Sequence, residues 1–208
     1  MKVLVTGFES REEKSNASDI LVSSLIDDSS KAISTLPCEV KFHVLKDDTH
    51  SLKDEIYGLL DGYKPDICLF TGQAPSRNSI TLECVATNYR YISPPPKIGE
   101  PAIGGEIEVQ GPDAYNSTLP DIPGIVKELK SNIIPAAPSR WGGNSLCNQV
   151  LYHGVHHSQV NDTATKCGFM HIPALPEQVI SQWPDVPFMP LEMTRRAVEV
   201  ILNKLFNP

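Results

Sequence analysis

Three residues far apart in this 208-residue chain carry groups that together could transfer an acyl group: a thiol, an imidazole and a carboxylate. Cys147 follows the run Gly142-Gly143-Asn144-Ser145-Leu146, which reads as a glycine turn entering a helix. In a helix's first turn, unpaired backbone N–H groups and the positive end of the dipole favour a thiolate and can hold a developing oxyanion. His171 closes the short apolar run 168–172 just before Pro173, and strand ends are where functional groups collect in open α/β sheets. Glu83 lies within the apolar run 80–86, where a carboxylate is costly unless paired, and His171 is a partner that would resolve that cost. Each residue also has an ordinary alternative: a small buried hydrophobe, a structural histidine and a surface-facing strand position.

Other constellations are weaker. His153 shares a helix face with His156 or His157, superficially like a metal site, but no nearby Cys or carboxylate completes it and adjacent histidines cannot point the same way. Thr71-Gly72-Gln73-Ala74 follows a strand without the second glycine and lysine of a phosphate loop. Neither a metal nor a nucleotide cofactor is expected.

The elements that must position these groups can be read from periodicity. Residues 2–6 form a β-branched strand and 19–26 repeat at helical spacing, while 38–45 alternate as a half-buried strand. Thr49 is a candidate cap for a helix over 51–60, and 66–71 is a continuous apolar strand ended by Gly72. Residues 80–91 suit extended or hairpin structure, which Pro94-Pro95-Pro96 interrupts before a long ordered excursion to about Pro120. Then come a helix at 122–129 with Pro123 in its first turn, a short strand at 133–137, a helix capped by Asn144 or Ser145 and running to about His157, a strand at 168–172, and an amphipathic helix at 191–206. This alternation implies an α/β fold with a mixed or mostly parallel sheet and helices on both faces.

Length and a hydrophobic fraction of 40% suit a single domain over residues 1–208. A net charge of -7 argues against a nucleic-acid partner, which would need a basic face. No apolar run approaches the roughly 20 residues of a membrane span, and the N-terminal run is too short for a signal peptide, so a cytoplasmic protein is expected. Five cysteines with no Cys-x-x-Cys pair make a poor disulfide framework and are read as reduced thiols.

Taken together, five blocks make the chain resemble the pyrrolidone-carboxylate peptidases, the type I pyroglutamyl peptidases, over nearly its whole length. They are residues 3–9; Gly72-Gln73-Ala74-Pro75-Ser76-Arg77 running on to Glu83; 111–120; Leu146-Cys147-Asn148-Gln149; and Gly168-Phe169-Met170-His171-Ile172-Pro173 with Pro176-Glu177-Gln178. The resemblance implies a three-layer α/β/α sandwich around a twisted, mostly parallel sheet. It implies a Glu83–Cys147–His171 triad that removes N-terminal pyroglutamate from peptides without metal or cofactor, substrate contacts from Phe8, Asn16 and Gln73, and, by analogy with bacterial members, a homotetramer. A neutral lactam calls for a small apolar slot with a few hydrogen bonds. This chain departs from the family where Arg11 replaces a second pocket phenylalanine, where Cys84 follows Glu83 in place of arginine, and at Ser93, where a supporting arginine usually stands; Arg90 is the neighbouring cation. These departures leave open a same-fold cysteine amidohydrolase of altered specificity, or a catalytically silent peptide-binding relative.

Overall fold

Alternating side chains sort the strands' apolar residues onto two faces, and both faces are covered by helices. The computed structural model describes residues 1–11, 14–27, 36–92 and 102–207. Its central sheet joins β1 (Lys2–Phe8), β2 (Glu39–Leu45), β3 (Ile67–Gln73), β4 (Ile80–Glu83), β9 (Ala136–Ser139) and β10 (Lys166–Ile172) in the order β2-β1-β3-β10-β4-β9. Every neighbouring pair is parallel except β10 with β4. Two short antiparallel ribbons, β5 (Val85–Thr87) with β8 (Ala114–Asn116) and β6 (Arg90–Ile92) with β7 (Ile103–Gly105), form the excursion between β4 and β9. Pro94-Pro95-Pro96 and Ser93 lie outside the described residues.

On one face Val3, Val5, Leu69, Leu82, Met170 and Ile172 meet α1 (Ala17–Asp27), α3 (Ile122–Ser131) and α6 (Leu191–Phe206). On the other, Leu4, Cys68, Phe70, Cys167 and Phe169 meet α2 (Leu52–Tyr63) and α4 (Leu146–Val160). The result is the three-layer α/β/α sandwich that the resemblance implied. Among the described residues no helix is long and apolar enough to cross a membrane.

Three local expectations are corrected. Thr49 does not cap α2; its hydroxyl donates 2.8 Å to Gln149 Oε1, a buried tie between the start of α2 and α4. The strand expected at 133–137 begins only at Ala136, because Ile133 takes a left-handed φ of 61° after α3 and is left exposed. A short helix, α5 (Pro176–Ser181), was not anticipated; Pro176 starts it and Gln178 Oε1 accepts from the Leu175 N–H at 2.8 Å.

The closeness of α4 to the sheet generates a paired test. A methyl group on Gly154 would stand 2.7 Å from the buried Phe70 ring, whereas one on Gly58, exposed on α2, would meet nothing within 4 Å. Urea unfolding of Gly154→Ala should show a loss of about 1–3 kcal/mol through overpacking, and Gly58→Ala a gain of about 0.4–1 kcal/mol from lower unfolded-state entropy. Equal effects would mean that α4 does not sit this tightly on β3.

Candidate active site

The carboxyl ends of β1, β3 and β10 converge on the start of α4, the usual place for a crevice in an open α/β sheet. Cys147 is the second residue of α4, entered through Gly143 at φ 80°, a left-handed turn that suits glycine. The first main-chain hydrogen bond in this helix runs from the Gln149 N–H to the Ser145 carbonyl, so the N–H groups ahead of it are the free donors of a helix start. The Cys147 side chain leans on the backbone of β3: a Cβ on Gly72 would lie 2.8 Å from Cys147 Sγ and 2.7 Å from the Phe169 ring. Only glycine admits that approach. Gly72 is the register partner of His171 on β10, which sets thiol and imidazole over adjoining strands.

The reversal of β4 against β10 brings in the carboxylate. Glu83 pairs with Phe169 and Thr81 with His171, so Glu83 and His171 are diagonal neighbours on one face. His171 Nδ1 and Glu83 Oε1 are 2.7 Å apart, both side chains almost wholly buried. A carboxylate accepts only, so Nδ1 carries the proton and Nε2 is left as the acceptor. The imidazole also lies 4.6 Å from the Phe169 ring, centroid to centroid.

Arg77, to which the sequence assigns no role, completes the charge arrangement. Its Nη1 donates to Glu83 Oε1 at 2.5 Å and to the Thr81 hydroxyl, while Nη2 donates to the Trp141 carbonyl at 2.6 Å. Gly142, the next residue, lies against the Glu83 side chain and Asn148. Arg90, the cation suggested by sequence, lies on β6 opposite Gly105. Asn148 is buried beside the thiol and receives the Thr87 N–H at 2.9 Å while donating to the carbonyls of Thr87 and Tyr89. It anchors the segment after Glu83 onto α4.

Burial decides the resting protonation states. Desolvation would raise the Glu83 carboxyl, but the hydrogen bond and charge of His171, the Ser139 hydroxyl and Arg77 outweigh it and hold the group below its ordinary value. Burial depresses His171 more than Glu83 raises it, with Arg77 adding to the fall, so the imidazole is neutral near pH 7. The Cys147 thiol is pushed up to about 12, first by burial and then by the Glu83 and Asp47 charges, against Arg77 and its own N–H. The helix start therefore does not yield a resting thiolate as the sequence suggested. Half-buried Cys147 and buried His171 thus both favour their neutral forms, with the base oriented by Glu83.

A cavity of about 300 Å³ is lined by Glu9, Arg11, Lys14, Ser15, Asn16, Asp47, Gln73, Pro75 and Trp183. Two of the three residues expected to contact substrate, Asn16 and Gln73, stand in its wall. Asn16 also caps α1, its Oδ1 accepting from the Ser18 N–H at 2.9 Å. Gln73 Oε1 accepts from the Ala17 N–H and from Gln178 Nε2, whereas its own buried Nε2 has no partner among the described residues. Phe8, the third, is buried in the core cluster that Cys147 packs against. Its residues are mostly polar or charged by type, yet the surface they turn to the cavity is mainly apolar, and Arg11 forms an ion pair with Asp47. His153, His156 and His157 turn to separate partners, namely Glu108, Tyr115 and Asp61.

The profile of the pyroglutamyl peptidase family matches residues 1–206. Pyrrolidone-carboxylate peptidases of Brachyspira hyodysenteriae and Pyrococcus furiosus are each 35% identical, covering 100% and 99% of this chain and 100% of their own length. Among solved structures, pyrrolidone carboxyl peptidase from P. furiosus superposes with a TM-score of 0.89 at 34% identity, over 100% of this chain and 99% of that one. Pyroglutamyl peptidase I of Bacillus amyloliquefaciens gives 0.88 at 28% identity, over 100% and 97%.

The protonation states are open to a direct check. Because the thiol is held neutral, iodoacetamide should alkylate Cys147 at pH 7 more slowly than an ordinary free cysteine, with the rate rising about tenfold per pH unit. Mass spectrometry of the labelled peptide reads this, and fast, selective labelling at pH 7 would show a thiolate at rest.

Proposed function

From the premise that the chain belongs to the pyroglutamyl peptidase family of cysteine peptidases, we propose that it removes N-terminal pyroglutamate from peptides, with Cys147 as nucleophile, His171 as base and Glu83 orienting that base. The observation that carries this reading is the buried 2.7 Å contact of His171 with Glu83, set one strand away from a thiol packed on Gly72. His171 Nε2 takes the thiol proton as Sγ attacks the pyroglutamyl carbonyl, so the reactive thiolate forms only during the reaction. The free N–H groups at the start of α4 receive the oxyanion. The imidazolium, stabilised by Glu83, returns its proton to the leaving amine, and the same base then activates water to hydrolyse the thioester.

The pyroglutamyl group is assigned to the cavity lined by Gln73, the residue after the Gly72 on which the thiol packs. There the unpartnered Gln73 Nε2 donates to the lactam carbonyl, Asn16 shapes the wall, and Phe8 backs the ring from the core. The Arg11–Asp47 pair on the same wall favours one second reading, a same-fold amidohydrolase with a changed acyl preference. Parallel assays on pyroglutamyl and unmodified aminoacyl amides separate the two.

Purified protein should release the fluorophore from a pyroglutamyl amide in the presence of a reducing agent, unaffected by a chelator. Cys147→Ser should lose about 10³-fold or more, and Gly72→Ala about 10²-fold with the fold retained, because its methyl group displaces Sγ. No release by folded wild type, with turnover of aminoacyl amides instead, would replace the first reading by the second.

The role of Arg77 has its own readout. kcat/KM should fall on the acid side as His171 takes a proton, with that limb displaced downward from the ordinary histidine value. Removing the guanidinium in Arg77→Gln makes the imidazolium less costly, so the limb should move to higher pH while the rate falls by up to about 10²-fold. A rate loss with an unmoved limb would assign Arg77 a purely structural part.

A further inference from the structure

We infer that Trp141, together with Tyr89 and Tyr91, forms an aromatic rim that receives the residue following the scissile bond, so that peptides with a bulky apolar residue directly after pyroglutamate are preferred. This rests on the proposed peptidase reading and adds the leaving-group specificity to it.

The order of the sheet gives the direction. The cavity assigned to the acyl group is built on the ends of β1 and β3 and the segment after β2, through Glu9, Gln73 and Asp47. Cys147 Sγ stands over Gly72 of β3, and His171 lies on the next strand, β10. The leaving amine must come within reach of His171, which returns its proton, so the departing chain extends from β3 across β10 toward β4 and β9. Trp141 follows β9 by two residues, on that side.

Four backbone hydrogen bonds hold the rim there. Trp141 is gripped through its carbonyl by Arg77 and through its N–H by Ser139 Oγ at 3.2 Å, while its indole is 61% exposed. The Tyr89 carbonyl accepts from Asn148 Nδ2 at 3.0 Å, and the Tyr91 N–H donates to the Asn144 carbonyl at 2.8 Å. Their side chains are 49% and 48% exposed. Each aromatic residue is thus fixed by its main chain to the catalytic surroundings and left open at its ring. Among the described residues four aromatic side chains are prominently exposed, and only Phe188 lies outside this group. A fixed backbone with an open ring is a preorganised apolar contact: ordering costs little and the ring area is still available to a ligand.

The test compares kcat/KM for pyroglutamyl-phenylalanine amide and pyroglutamyl-alanine amide in wild type and in Trp141→Ala. Using the ratio within each protein makes the result independent of the folded fraction. Wild type should favour the phenylalanine peptide, and Trp141→Ala should cut that ratio about tenfold, the scale of one aromatic contact. An unchanged ratio overturns the inference while leaving the peptidase reading intact, provided the alanine peptide is still cleaved and Cys147→Ser abolishes cleavage. Cleavage of neither peptide by wild type overturns both. If Trp141→Ala instead dissociates an assembly in sedimentation with the ratio unmoved, the rim joins copies of the chain rather than substrate.

Discussion

A single buried carboxylate organises this site. Glu83 is almost wholly removed from water, and an unpaired charge there would cost several kcal/mol, so every neighbour that satisfies it is constrained in turn. Arg77 answers with charge and reaches on to the Trp141 carbonyl, and His171 answers with its Nδ1 proton, which leaves Nε2 as the acceptor. The loop before α4, the end of β4 and the last turn of β10 are therefore held by one electrostatic knot. Breaking such a knot by removing one partner typically costs about 3–5 kcal/mol, which makes it a structural element as much as a catalytic one.

The one antiparallel pairing in the central sheet serves that knot. With β4 reversed, Glu83 falls diagonally across from His171 on the face covered by α4, and Leu82 turns to the opposite core with Met170. A register slip of one residue would send the carboxylate into the apolar layer and its aliphatic neighbour toward the thiol. Gly72 makes a comparable demand through space rather than charge, since no side chain fits between β3 and Sγ.

Much of this was legible in the residues. The glycine turn before Cys147, the strand end at His171 and a carboxylate stranded in the apolar run around Glu83 each carried a local physical signal, and the alternation of apolar runs announced the layered fold. What was not legible depended on three-dimensional neighbours. Arg77 stands within one of the family blocks, but only the fold brings its fork to Glu83 and Trp141, and the order of residues does not mark it out from Arg90, which lies nearer to Ser93. The helix start predicted a thiolate because dipole and free N–H groups can be read from a helix, whereas the burial and the Asp47 and Glu83 charges that outweigh them cannot. As a β-branched residue Ile133 favours strand, and the left-handed turn that ends α3 overrides that preference.

The place of β10 in the sheet has a consequence for how the molecule comes into being. This strand lies between β3 and β4, yet it is translated about a hundred residues after β3 begins. A ribosome-bound chain lacking it holds two open strand edges at its centre and has no imidazole for the thiol. The site cannot be assembled piecemeal: it arrives with the strand that closes the middle of the sheet, so a half-made chain carries the cysteine but not the means to use it.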